Sequence, residues 1–215
     1  MVREYPNQWM ILLNGFKKSA KQNTNAKINV HQLPEITSRK RKELVVNSYK
    51  LKKWAEIVRN AENPLVLCDS DLCFLDDIED GFTDKPITLT KRTLRWCNAG
   101  VVFVRPCKEA NEFFDRWVEM DTWLHDGDFD SRGNPLRLKK AWRKTGIKGQ
   151  NQTALAKIKN EFEFGWVDGQ VYNASQKQEW HGTPKVVHVK DSLRNDLFRN
   201  TDRYELTNKI KPFYK

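Results

Sequence analysis

The sequence predicts an α/β sandwich built on a mostly parallel sheet. Three observations carry that expectation. The continuous apolar run Pro64-Leu65-Val66-Leu67-Cys68 reads as a buried parallel strand covered by helices on both faces. Apolar residues at helical spacing lie on either side of it, at Leu51, Trp54, Ala55 and Val58 and again at Ala110, Phe113, Phe114, Trp117 and Leu124. Strands and helices then alternate along the chain, as they do where helices pack on the faces of a sheet.

Taken in order, Trp9, Leu12, Leu13, Phe16 and Ala20 form one apolar face of a first helix, with Pro6 suited to its first turn. Ala26 to Val30 reads as a short strand, and Leu51 to Val58 lies in a second helix that follows the basic run at 38–42. Asn63-Pro64 breaks the chain. Strands are expected at the apolar start of 64–75, over Pro86–Thr90 and over Ala99–Val104, then the amphipathic helix through Trp117, a loop over 126–135 and a helix over 152–159. Phe164–Tyr172 and Val186–Val189 read as the last strands. One domain spanning residues 1–215 is expected, because 215 residues fall near the size of a single unit.

Hydrophobic residues make up 39% of the chain and charged residues 31%, which excludes a disordered tail and a collagen-like repeat. No apolar run approaches the ~18 residues of a spanning helix. No membrane span and no secretory signal are therefore expected. Against 28 acids stand 38 Lys and Arg, a net charge of +10 that favours anionic partners. Cys68, Cys73, Cys97 and Cys107 sit in or beside apolar runs without metal-ligand spacing. They read as buried thiols of a reducing, cytoplasmic compartment.

The chemistry concentrates at Asp69-Ser70-Asp71. Residues 69–80 hold six acids (Asp69, Asp71, Asp76, Asp77, Glu79, Asp80) and no base, inside a basic protein. Two carboxylates two residues apart, at the carboxyl edge of a parallel sheet, can share one hard divalent cation such as Mg²⁺ or Mn²⁺. The same residues also suit a plain polar turn after a strand. Asn98-Ala99-Gly100 opens another strand, with a glycine that permits close approach of a ligand. His188 lies in the apolar run Val186-Val187-His188-Val189, where it reads either as a satisfied core histidine or as a metal ligand. Lys190, two residues on, can meet a phosphate as a point charge.

The order of DSD at 69–71, NAG at 98–100, NQ at 151–152 and HVK at 188–190 resembles the GT-A glycosyltransferases, most closely the glycogenin-like and nucleotide-diphospho-sugar transferase families. The segments SYKLKKWAEIV and VDGQVYN add to the likeness, which covers about residue 5 to residue 195. It implies a three-layer sandwich and transfer of a sugar from a nucleoside diphosphate sugar to a hydroxyl acceptor of unspecified class, with retention of configuration. It also implies a Mn²⁺ or Mg²⁺ cofactor held by Asp69, Asp71 and His188. Asp69 would also touch the donor, Asn98 would hydrogen-bond its sugar and Lys190 would contact its diphosphate. Lys50 falls where these families place a base that reaches the donor, and Lys91 is a weaker candidate for that task.

Two features depart from the families. Asn151-Gln152 stands where they carry Asp-Gln, so either Gln152 bears the donor-facing catalytic contact or the acid is not used. Asn151 also reads as a helix N-cap. At the N-terminus, Tyr5 and the first helix come almost at once, so the first strand of the fold is expected to be missing.

Other readings stay open beside this one. A haloacid dehalogenase-type phosphatase also places D-x-D after an apolar strand, although nearer the N-terminus and without a cysteine at the position of Cys73. A nucleic-acid-binding module would use the basic runs 39–42, 50–53 and 137–144, but no nucleic-acid-binding signature accompanies them. Trp54 and Trp117 fall at core positions, whereas Trp123, Trp142, Trp166 and Trp180 lie near loops and could form an acceptor platform. Asp126, Asp128 and Asp130 imitate a calcium loop, but Ser131 and Arg137 stand where that loop needs Gly and Glu.

Overall fold

The computed structural model describes residues 7–32, 42–92, 98–131, 133–147, 150–175, 183–201 and 203–214. Tyr5, Pro6, Cys97, Trp180 and most of the basic run 38–42 lie outside them. So do residues 1–6, on which the expectation of a missing first strand chiefly rests.

The described chain opens with α1 (Gln8–Asn23), which buries Leu12, Phe16 and Ala20 at helical spacing. Trp9, expected on that face, is 56% exposed instead. The expected strand at 26–30 does not form. Only Ile28 packs inward there, and Ala26 and Val30 remain exposed. After α2 (Lys42–Arg59), the apolar run 64–75 divides into β1 (Leu65–Cys68) and β2 (Leu72–Phe74). The division falls at Asp69-Ser70-Asp71, where the chain leaves one sheet for another.

A four-stranded sheet has the order β1, β4 (Asn98–Val104), β3 (Ile87–Lys91), β5 (Gly165–Asp168). β4 pairs antiparallel with β1 and with β3, and β3 pairs parallel with β5. Thus β1, β3 and β5 run one way and β4 opposes them from between. The mostly parallel sheet is corrected to a mixed one. Continuous apolar sequence reports cover on both faces rather than strand direction. A second sheet pairs β2 antiparallel with β6 (Val186–His188), setting Leu72 opposite His188.

β4 is buried at every position and shows how the layers form. Val102 and Val104 join the cluster of Leu51, Trp54, Phe113, Trp117 and Leu155. These come from α2, α3 (Lys108–His125) and α5 (Gln150–Ile158). Val101 and Phe103 join Phe16, Leu72, Phe74 and Tyr172 on the other face. Trp54 and Trp117 are core residues as expected, meeting edge to face at 6.4 Å.

The expected strand Phe164–Tyr172 ends at Asp168. Its carboxylate accepts from Gln170 N–H at 2.8 Å and caps the helical turn α6 (Gly169–Tyr172). A side chain at Gly169 would stand 2.4 Å from the Lys91 carbonyl oxygen, so this crossing needs glycine. Three helices were not expected: α4 (Leu136–Thr145), α7 (Asp191–Arg199) and α8 (Glu205–Ile210). α4 lies in the basic run 137–144 and buries only Leu138 and Ala141 of its residues. In α7 and α8, Leu193, Leu197, Leu206 and Ile210 pack with Leu12, Cys73 and Val187. No described helix is long and apolar enough to cross a membrane.

Candidate metal centre

The directions of the strands bring the expected residues to one edge. β1, β3 and β5 end where β4 begins, so Asp69, Lys91, Asp168 and Asn98 lie along the same rim. Asp69 N–H donates to the Gly100 carbonyl at 3.0 Å, which ties the first acid to the sheet. The turn through Ser70 then delivers Asp71 to the second sheet. There Val189 N–H donates to the Asp71 carbonyl at 2.8 Å, beside His188 at the end of β6.

Asp69, Asp71 and His188 each offer a ligand atom within 4.8 Å of the other two. His188 Nε2 stands 3.1 Å from Asp71 Oδ1 and 3.8 Å from Asp69 Oδ2. Ligands at right angles around a small divalent ion at ~2.1 Å stand ~3 Å apart, so modest side-chain movement would close the set. Two carboxylate oxygens and one imidazole suit Mn²⁺ better than the strictly oxygen-seeking Mg²⁺.

The two aspartates are held alike. Each turns one oxygen toward His188 and gives the other to a cation from a flanking helix. Lys50 Nζ of α2 lies 2.6 Å from Asp69 Oδ1 and 4.6 Å over the Trp54 ring. An Arg194 guanidinium nitrogen of α7 lies 2.5 Å from Asp71 Oδ2, while its Nε donates to the Val189 carbonyl at 3.1 Å. Burial pushes the Asp71 carboxyl up, but the charges of His188, Arg194 and Lys190 and the His188 hydrogen bond bring it down to about 2. Asp71 is therefore an anion at any physiological pH.

Behind His188 lies a closed polar network. Asn173 Nδ2 donates to Thr90 Oγ1 at 3.0 Å and to Asn98 Oδ1 at 3.1 Å. Thr90 Oγ1 donates onward to the Asn98 carbonyl at 2.9 Å. Asn173 must then face His188 Nδ1 with its oxygen, at 3.0 Å. Nδ1 carries the hydrogen, and Nε2 points at the carboxylates. Gly100 makes this possible, for a Cβ there would lie 2.8 Å from His188 Cε1 and from Asn98 Oδ1. The close approach expected at Gly100 is thus made by His188 and Asn98 of the chain itself.

The remaining expected residues divide. Lys190 caps α7 without a side-chain bond to it. Burial and the neighbouring Arg92 charge lower its ammonium to about 8, while Asp71 and Asp69 act to raise it. Asn98 is buried, and its amide oxygen is occupied by Gly100 N–H at 2.7 Å as well as by Asn173. Lys91 is exposed at the end of β3. Asn151 and Gln152 lie in the first turn of α5, and among the described residues no hydrogen bond or ion pair ties them to the acid pair. Asn151 falls inside the helix rather than ahead of it, so the N-cap reading is corrected. Its carbonyl accepts from Trp117 Nε1 at 2.7 Å. Gln152 Oε1 is buried with no hydrogen-bond partner among the described residues.

Trp123 and Trp166 are half-exposed, whereas Trp142 packs against the main core. Asp130 is satisfied by Asn134 and Lys139, consistent with a self-contained loop rather than a calcium site. Cys68, Cys73 and Cys107 are free thiols, and burial pushes Cys73 up to about 12.

Arg194, Asn173, Thr90 and Arg92 were not singled out from the sequence. Asn173 closes the VDGQVYN segment, and Arg194 follows Lys190 by one helical turn. Neither position declares its partner without the fold. No family model matches this chain and no curated protein matches its sequence, so the functional reading rests on the arrangement of these side chains.

Proposed function

We propose that the chain is a metal-dependent glycosyltransferase of the GT-A type. It would move a sugar from a nucleoside diphosphate sugar to a hydroxyl acceptor, with retention of configuration. One observation carries the reading. Asp69 and Asp71 converge with His188, more than a hundred residues further along the sequence, on one point at a sheet rim beside Lys190. Ligands of open α/β sheets bind at such a rim.

Asp69 Oδ2, Asp71 Oδ1 and His188 Nε2 would hold Mn²⁺. When bound, the ion supplies positive charge against the diphosphate that leaves the sugar. Lys190 adds a second positive charge from a partly desolvated position, where it acts more strongly than in water. Lys50 holds Asp69 in place and stands at the rim where the donor would lie. Gln152 presents a buried acceptor with no partner among the described residues, which a sugar hydroxyl can satisfy. The free thiols described above fit a reducing, cytoplasmic setting.

The test is a panel of nucleoside diphosphate sugars with Mn²⁺, scored by donor hydrolysis and by thermal shift. The reading expects one donor to shift the melting temperature only with metal and to be hydrolysed slowly. A panel in which no donor does either, while random oligonucleotides bind in a salt-dependent way, would replace it with nucleic-acid binding.

A further inference from the structure

We infer that Arg194 couples metal binding to diphosphate binding, so that the site accepts a divalent cation well only together with an anion. The inference rests on the proposed metal centre and concerns how that centre is loaded.

The argument starts from charge. Two carboxylates face the proposed ion, and both already have cationic partners. Lys50 holds Asp69, and Arg194 holds Asp71. Lys190 lies close enough to both acids to interact with them. Cationic side chains around the acid pair thus outnumber the carboxylates. A bare divalent ion entering this group meets net repulsion, which the low solvent content of the rim does little to screen. Arg194 and Asp71 have side chains only 20% and 13% exposed. A bound diphosphate reverses the balance, because its oxygens accept from the same cations and ligate the ion as well.

Arg194 is better placed than Lys50 to make this coupling. It sits one helical turn into α7, the helix that begins immediately after His188 and Lys190. Its guanidinium lies 4.6 Å from the Trp9 ring, in cation–π contact with a side chain that is otherwise half-exposed. Trp9 is the one residue of the expected apolar face of α1 that fails to join the core, and the stack on Arg194 gives it another role. The planar guanidinium keeps several donors beyond the one given to Asp71 and the one given to Val189. It can therefore keep Asp71 oriented and still donate to a phosphate oxygen.

The experiment measures protein-bound Mn²⁺ by equilibrium dialysis of the full chain, with and without inorganic pyrophosphate, each series corrected for the Mn²⁺–pyrophosphate complex measured without protein. The wild type should bind Mn²⁺ weakly alone and at least ten-fold more tightly with pyrophosphate. Arg194→Gln should bind Mn²⁺ alone at least five-fold more tightly than wild type, while the gain from pyrophosphate falls below about three-fold. Arg194→Lys, which keeps the charge, should retain most of the coupling. Trp9→Ala removes a side chain outside the core and should move both numbers in the same direction as Arg194→Gln, by a smaller factor. Weaker Mn²⁺ binding by Arg194→Gln with the pyrophosphate gain intact would show that Arg194 only orients Asp71, and would overturn the inference while leaving the metal centre standing. Absence of Mn²⁺ binding by the wild type under both conditions, or equal binding by Asp71→Asn, would overturn the metal centre and the inference with it.

Discussion

His188 Nδ1 and Asn173 Oδ1 lie 3.0 Å apart, and this contact sets the direction in which the histidine can act. Asn173 has no freedom to turn its amide, because both Thr90 and Asn98 take its nitrogen. The hydrogen therefore belongs on Nδ1. Nε2, 3.1 Å from Asp71 Oδ1, then faces the carboxylate pair. Asn173→Leu, close in size but unable to accept, should lower Mn²⁺ affinity by about 10- to 100-fold, the usual effect of losing such a supporting partner. Affinity unchanged in Asn173→Leu would mean that His188 is not a ligand.

Asp71→Asn and His188→Ala should each abolish the joint thermal shift produced by Mn²⁺ with a nucleoside diphosphate. Neither should unfold the protein. The cluster sits at the rim of the sheet, and the large buried side chains Trp117, Phe103 and Phe113 lie elsewhere. Metal alone should raise the melting temperature only modestly, and more with the diphosphate, since each ligand then strengthens the other. Thermal scans of the three proteins with metal, diphosphate and both will decide it. A full joint shift in either variant would remove that residue from the coordination set.

Gly100→Ala tests the same histidine from the other side. The new methyl would stand 2.8 Å from His188 Cε1 and 2.9 Å from Nδ1, closer than real contacts allow. The ring is buried and held by Asn173, so the backbone of β4 must move instead. Such overpacking costs about 1–3 kcal/mol. We expect a loss of stability in that range by denaturant titration, together with a drop in Mn²⁺ affinity. A stable variant with unchanged affinity would show that the ring yields easily.

The acid pair was legible in the sequence because D-x-D after an apolar run needs no distant partner to be noticed. His188 was legible only as one of two readings, since a histidine in an apolar run looks the same whether it packs or binds. The contacts that orient its ring come from Asn173, Asn98 and Gly100, which meet only when β4, α6 and β6 are assembled. The sheet's direction was misread for a similar reason. The apolar run of β1 shows that the strand is covered, whereas its antiparallel neighbour β4 comes thirty residues later. α4 escaped notice because Leu138 and Ala141 are too few to make a visible apolar stripe among Arg137, Lys139, Lys140, Arg143 and Lys144. Trp9 satisfied the spacing of α1 yet found a guanidinium rather than a core.

Asp196 supplies a pH-dependent part of the stability that is independent of the metal. It is 2% exposed and accepts from Thr201, from Thr207 Oγ1 at 2.5 Å and from Arg203 N–H at 3.3 Å, tying α7 to α8 and to the turn before it. Burial pushes its carboxyl up, but these hydrogen bonds outweigh it and leave it below the usual carboxylate value. The unfolded chain then binds the proton more readily than the folded one. The stabilisation is complete above about pH 4, the ordinary carboxylate range, and is lost as pH falls through the lower folded value. Asp196→Asn should cost about 2–4 kcal/mol near neutral pH. The gap in melting temperature between wild type and variant should close as the solution is acidified below pH 4. A gap that stays constant with pH would show that the charge on Asp196 contributes nothing.

Gln152 separates a residue kept for binding from one kept for folding. Its Oε1 is buried with no hydrogen-bond partner among the described residues, an arrangement that costs about 1–3 kcal/mol while it lasts. Gln152→Ala removes the unsatisfied oxygen together with some packing, so stability should change little. If the oxygen serves the donor sugar, turnover should fall by more than ~10-fold, the equivalent of ~1.4 kcal/mol of transition-state stabilisation. Asn151 provides the contrast. Its carbonyl, not its side chain, receives Trp117 Nε1, so that bond survives in Asn151→Ala. The residue lies within α5, where alanine is a good helix former, and the loss of stability should stay below ~1 kcal/mol. Paired unfolding and donor-hydrolysis measurements on the two variants give the answer. A large stability loss in Gln152→Ala with normal turnover would make Gln152 a packing residue and leave the sugar's orientation to the side chains at the rim.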